Sequence, residues 1–247
     1  MDRCFLSIDA QDYQNLEIIF IDNNSVDRSN RMIQNYCKQK NNAKLLYCKK
    51  QGPAAARNTG LDAARGEYIS FLDADDEIHA DKFNILLTAL KNYPQAGMAI
   101  GQTKKQYENG SSHIMDLGPL KHGLNRAPEP GLLWLQQFQH NPAIHCFIID
   151  RNILKIVGGF PENIKYGEDV AFCLSTPLHN HGNMCEQFIS RMDLWKNKSV
   201  VELFIICVRQ SKLPPLICPL FPPLYAAGVS CAAGGREVVA ALSNFGC

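Results

Sequence analysis

The chain has 247 residues, 46% of them apolar, and its 25 basic and 24 acidic side chains leave a formal charge of +1. That supplies a sizeable core for one large domain, or for a domain with a small appendage. The scattered basic residues exclude the positive stripe expected of a nucleic-acid-binding surface.

The chain opens on "MDRCFLSIDAQ", which carries charges where an export signal would be apolar. Its ten cysteines form no CxxC pair, so they read as reduced packing thiols in a cytoplasmic protein. From Glu17 to about Leu90, short apolar runs alternate with amphipathic stretches, the pattern of βαβ units around a mostly parallel sheet. "EIIFID" (17–22) and "KLLYC" (44–48) read as strands, with Ser25 placed to cap the helix between them. "GPAAARNTGLDAARG" follows, with Pro53 suited to a helix start and Gly66 to its end. "EYISFL" (67–72) is the third strand, and Phe83, Leu86, Leu87 and Leu90 stripe the next helix. All three strands are expected to be buried on both faces.

Beyond Pro94 the style changes. Asn109-Gly110 between two β-like stretches marks a hairpin. "LLWLQQF" (132–138) reads as helix and "AIHCFIID" (143–150) as a buried strand, while "RNILKIVGGF" is a short helix closed by Gly158-Gly159. From about Thr176 the pattern weakens. "VVELFIICV" is apolar but too short to cross a bilayer. Five prolines in the uncharged run 213–233 oppose a spanning helix and suggest irregular structure, or a segment lying against a membrane surface or a partner. The expected division is a domain over 1–175 and an atypical, partly irregular tail over 176–247.

Chemistry concentrates where strands end. Asp73, Asp75, Asp76 and Glu77 follow the third strand, and Asp22 ends the first. In open α/β sheets ligands sit beyond the carboxyl ends of strands. Carboxylates at that spacing reach one Mg²⁺ or Mn²⁺, whose shell phosphates and water complete. The alternative is a solvated turn in which Asp76 or Asp81 caps the following helix. His179 and His181 in "HNHGN" read as a loop rather than a metal site. Trp134 and Phe160 are open either to core packing or to forming an apolar face for a ligand.

Three stretches in order, "IDNNSVD" (21–27), "GPAAARNTGLDAARGEYISFLDADD" (52–76) and "GGFPENIKYGEDVAF" (158–172), resemble the inverting family 2 glycosyltransferases of GT-A fold. The likeness covers roughly Asp2 to Leu174. It implies transfer of a sugar from a nucleoside diphosphate donor, with UDP the expected nucleotide, to a saccharide or lipid-linked acceptor. Asp75 would be the principal ligand of Mn²⁺ or Mg²⁺, and Asp73 would bind the ribose or share the metal. Asp22 or Asn23 would face the nucleobase and Arg57 would contact the donor. Asp169 would be the base, and Glu168 would support it or bind acceptor. The resemblance also implies polysaccharide or surface-glycan synthesis, at the inner face of a membrane.

The pattern breaks in two places. Family members open with a strand that is central in the sheet, whereas this sequence starts on what reads as the helix after it. Asn23 stands where the family has an acid. A competing expectation is therefore an inactive remnant that binds nucleotide weakly or serves as an interaction module. A phosphoryl-transfer or receiver-like protein would use Asp22, Asp73 and Asp75 equally well, but leaves the Gly-Gly-Phe and Gly-Glu-Asp stretches without a role.

Overall fold

The computed structural model describes residues 1–107, 109–120, 122–140, 142–178, 183–186, 193–194 and 203–208. In chain order the elements are α1 (Asp2–Asp9), β1 (Leu16–Asp22), α2 (Ser29–Gln39), β2 (Ala43–Tyr47), α3 (Pro53–Ala63), β3 (Tyr68–Asp73), α4 (Lys82–Asn92), β4 (Ala96–Ile100), β5 (Lys104–Gln106) and β6 (Ser112–Ile114). They continue with β7 (Gly123–Asn125), α5 (Glu129–Gln136), β8 (Phe147–Asp150), α6 (Arg151–Val157), α7 (Glu168–Leu178), β9 (Asn183–Glu186), β10 (Asp193–Leu194) and β11 (Leu203–Val208).

An eight-stranded sheet runs in the order β2-β1-β11-β3-β8-β4-β9-β7. Strands β1, β2, β3, β4 and β9 point one way and β11, β8 and β7 the other, so the carboxyl ends of β1 and β3 open on the same edge. Side chains alternate along β1, and each face acquires its own helical layer. Ile19 and Ile21, with Ile69 and Phe71 of β3, pack against α3, α6 and α7. Ile18 and Phe20 pack against α1, α2 and α4, where Phe83, Leu86, Leu87 and Leu90 form the stripe read from the sequence. Burying a side chain such as Phe20 or Phe71 contributes roughly 1.5–3 kcal/mol each.

The central position between β1 and β3 is filled from far along the chain. Strand β11 pairs antiparallel with both neighbours, from Leu16↔Val208 to Ile21↔Leu203 on one side and from Tyr68↔Val208 to Asp73↔Leu203 on the other. The apolar run at 203–208 is thus a central strand, and β9 also joins this sheet from beyond residue 175.

Other expectations need correction. Strand β2 is an edge strand, only partly covered, with Tyr47 at 59% exposure, so burial on both faces holds for β1 and β3 but not for it. Helix α2 starts at Ser29 after Arg28 rather than at a Ser25 cap. Helix α3 closes at Ala64, two residues before Gly66. Only the second half of "AIHCFIID" is strand; Ile144–Cys146 is a 3-10 turn that leads into it. The hairpin forms as read, with Lys104 opposite Ile114 and Gly110 at φ 80°. Helix α6 ends on Gly158 at φ 87°, a conformation that costs glycine little. Residues 179–182 of "HNHGN", with both histidines, and the proline-rich run 213–233 lie outside the described residues, while Asn183 opens β9. Among the described residues no helix is long and apolar enough to cross a membrane.

Candidate active site

The end of β1 is committed to its own surroundings. Asp22 accepts the Ser25 backbone N–H through Oδ1 at 2.9 Å and the Asn30 amide through Oδ2 at 2.6 Å. Burial pushes its carboxyl up, but the bonds from Ser25 and Asn30 outweigh that and hold it below its ordinary value. Asn23 donates to the carbonyls of Cys48 at 2.9 Å and Lys50 at 2.7 Å and accepts from the Gly52 N–H at 2.8 Å. The loop leading into α3 is therefore strapped to β1 by an amide. An aspartate at 23 has no proton to donate at neutral pH, which accounts physically for the departure at this position.

The end of β3 is organised differently. Arg57, on α3 and only 4% exposed, donates through Nη1 to Glu168 Oε1 at 2.7 Å and through Nη2 to Asp73 Oδ1 at 3.3 Å. Burial would lower its pKa, but Asp73, Glu168 and Asp169 around it reverse the sign and secure the charge. One guanidinium thus ties the acid at the end of β3 to the acid pair opening α7. Glu168 is buried, whereas Asp169 is half-buried and its Oδ1 accepts the Val170 N–H at 2.8 Å. Both sit in the first turn of α7, where the helix dipole favours negative charge.

The "ARN" and "GGF" stretches meet face to face. Asn58 Oδ1 accepts the Phe160 N–H at 2.7 Å and Nδ2 donates to the Phe160 carbonyl at 2.9 Å. A Cβ on Gly159 would lie 2.4 Å from Asn58 Oδ1, so this position requires glycine for its close approach. Phe160 is 3% exposed, stacks on Phe172 with centroids 4.0 Å apart, and lies under the Arg57 guanidinium at 5.2 Å. Trp134 has no exposed surface. Neither aromatic presents a face to a sugar; both are core.

Asp75 is exposed and the Asp73 side chain is 32% exposed. Both carboxyls are held above their ordinary range: Asp75 by burial and then by Asp76 and Asp73, Asp73 by burial and Asp76 against the pull of Arg57. Surplus negative charge on hard oxygen donors fits Mg²⁺ or Mn²⁺, which takes one or two protein carboxylates beside phosphate and water. Among the described residues no three His, Cys, Asp or Glu are grouped to hold a metal unaided.

Asp76 caps no helix. It pairs with His145 Nδ1 at 2.8 Å, and His145 Nε2 lies 3.0 Å from Thr103 Oγ1, which is 2.7 Å from Cys146 Sγ. Burial would lower the His145 pKa; Cys146 and Asp76 overcome it and raise it to about 10, so both ring nitrogens carry protons. Lys82, 1% exposed, donates to Ser70 Oγ and to the His145 carbonyl, each at 2.7 Å, and burial pulls its pKa down to about 8. Sequence reading missed this layer because His145 falls in a stretch read as plain buried strand. Its one local signal was polar His145-Cys146 inside an apolar run.

A sheet of this order, with the carboxyl ends of β1 and β3 opening on one edge, is that of the GT-A fold. The profile described as Glycosyl transferase family 2 matches residues 1–157, and the chain belongs to that family. An uncharacterized glycosyltransferase of Haemophilus influenzae is 47% identical over 232 residues, covering 86% of this chain and 84% of the relative. The GalNAc(5)-diNAcBac-PP-undecaprenol beta-1,3-glucosyltransferase of Campylobacter jejuni is 38% identical over 89 residues, 35% of this chain and 29% of that enzyme. Among solved structures, S. aureus TarS 1-349 in complex with UDP-GlcNAc superposes with a TM-score of 0.66 at 19% identity, over 81% of this chain and 55% of that one. The chain therefore spans about half of the TarS fragment and less than a third of the Campylobacter enzyme.

Proposed function

We propose that the chain transfers a sugar from a nucleoside diphosphate donor, a UDP-sugar, to a hydroxyl of a saccharide or lipid-linked acceptor with inversion at the anomeric carbon. The observation that carries this reading is the Arg57 bridge, which ties Asp73 at the end of β3 to Glu168, the neighbour of Asp169 at the head of α7. The donor chemistry is that of the TarS complex with UDP-GlcNAc, and the acceptor class is that of the Campylobacter relative.

Asp75, with Asp73, would hold Mg²⁺ or Mn²⁺, and the cation would supply neutralisation of charge on the diphosphate leaving group. Asn23 shapes the nucleoside side by holding the 48–52 loop to β1, and Asp22 by fixing the turn at Ser25 and the start of α2. Arg57 faces the donor side through Asp73. Asp169 takes the proton of the acceptor hydroxyl as its oxygen bonds the anomeric carbon; the bond to the diphosphate oxygen breaks and its electron pair leaves with the diphosphate. Glu168, paired with Arg57, keeps the head of α7 in place beside it. Transfer at a membrane-facing glycan, with peripheral attachment, follows from the lipid-linked acceptor class.

The test is a pair of measurements on Asp169→Asn. Sugar transfer should fall by about 10²–10⁴-fold, the usual worth of a positioned base, while calorimetry shows UDP binding with Mn²⁺ equal to that of the parent chain. Turnover equal to the parent would remove Asp169 from the role, and absence of UDP binding by the parent would remove the donor assignment.

A further inference from the structure

The polar layer beneath the end of β3 is built from groups that transfer does not use. Strand β8 runs antiparallel to β3 and β4, so the turn at its start, Ile144–Cys146, abuts the edge at which those strands end. Lys82 fixes the backbone of that turn by donating to the His145 carbonyl, and it is itself tied to β3 through Ser70, whose Oγ donates to the Phe147 carbonyl at 2.9 Å. From this anchored turn the His145 ring, 3% exposed, reaches Asp76, 7% exposed. Asp76 in turn closes the acid turn, its N–H bonding the Asp73 carbonyl at 3.0 Å. Asp75 lies inside that loop of two bonds.

We infer that His145 is a positioning residue for the acid turn: through Asp76 it holds Asp75 at the edge of the sheet in the geometry that the donor's cation needs. The inference rests on the cation-holding reading of Asp73 and Asp75. The physical reason is the repulsion within the turn. Asp73, Asp75 and Asp76 share a short loop, and a buried Asp76 without His145 would leave an unpaired carboxylate beside the other two. It would swing outward, away from the other two carboxylates, and that displacement moves Asp75.

The experiment compares the gain in UDP affinity produced by Mn²⁺, measured calorimetrically at 15 °C, among the parent chain, His145→Ala, His145→Asn and His145→Gln, with melting temperatures in parallel. An asparagine amide falls where Nδ1 lies and can still donate to Asp76; a glutamine amide falls where Nε2 lies and cannot. The expected result is a Mn²⁺-dependent gain in the parent and in His145→Asn, reduced by about 10- to 100-fold in His145→Ala and His145→Gln, the range typical of groups that orient metal ligands. Variants that melt earlier yet keep the full gain would make His145 purely structural and overturn the inference. Should His145→Ala fail to fold, the contrast between Asn and Gln decides, and equal behaviour of the two overturns it. A parent chain with no Mn²⁺-dependent gain would overturn the cation reading itself, an outcome distinct from retention of the gain in the variants.

Discussion

The two strand ends that carry acids, Asp22-Asn23 after β1 and Asp73 to Asp76 after β3, look alike in sequence and differ in what their side chains do. At the end of β1 the carboxylate and the amide are spent on nearby backbone and on Asn30, and both residues are buried. At the end of β3 the partners come from α3, from the turn before β8 and from α7, and Asp75 is left exposed. Acids saturated by their own loop make architecture. Acids restrained by distant elements, with oxygens to spare, make a site.

Substitutions at the two ends should therefore separate by what they change. The largest effect is expected for Arg57→Met, which joins the two categories: it strands Glu168 and Asp73 without their cation and should cost about 3–5 kcal/mol in urea unfolding, along with transfer. Next is Asp75→Asn. Its carboxyl sits above its ordinary range because burial and like charges oppose ionisation, so losing the charge relieves the fold. Transfer should drop by at least about 100-fold while the melting temperature does not fall. A parallel loss of stability would erase the contrast between the two strand ends. Asn23→Asp should behave in the opposite sense, lowering stability by about 1–3 kcal/mol because the buried Cys48 carbonyl and the part-buried Lys50 carbonyl lose this donor; equal midpoints would show that the strap at 48–52 carries no weight.

The smallest effect is electrostatic. Asn30→Ala removes one of the bonds that hold the Asp22 pKa below 3.8, and should cost about 1 kcal/mol at pH 7. A depressed folded-state pKa gives stability that is complete above the unfolded value and lost as pH falls through the folded one. The gap between parent and variant should accordingly close below about pH 3.8. A gap unchanged down to pH 2 would mean that Asn30 acts through packing alone.

Much of the fold was legible because it is locally encoded. Strand β1, helix α4 with its four-residue stripe, the turn at Asn109-Gly110 and the glycine stop of α6 each depend on neighbours a few positions away. Strand β11 depends on partners at the far end of the chain, so its six apolar residues could be read as too short for a bilayer but not placed between β1 and β3. The motifs pointed to Arg57, Asp73 and Glu168 one at a time; that a single guanidinium joins them is a fact of packing. Phe160 and Trp134 were open to two readings because an aromatic's sequence neighbours do not reveal whether its face meets solvent or another ring. His145 was hidden for a related reason: its partner, Asp76, lies beyond two intervening strands and a hairpin.

The antiparallel seat of β11 also governs how this molecule folds. The strand that joins β1 to β3 lies far along the chain from both, at residues 203–208. Its pairings are of long sequence separation, and such contacts close late because a long loop must be ordered before they form. The centre of this sheet is thus set by the slowest class of contact, while its rim at β1 and β2 is set by local ones.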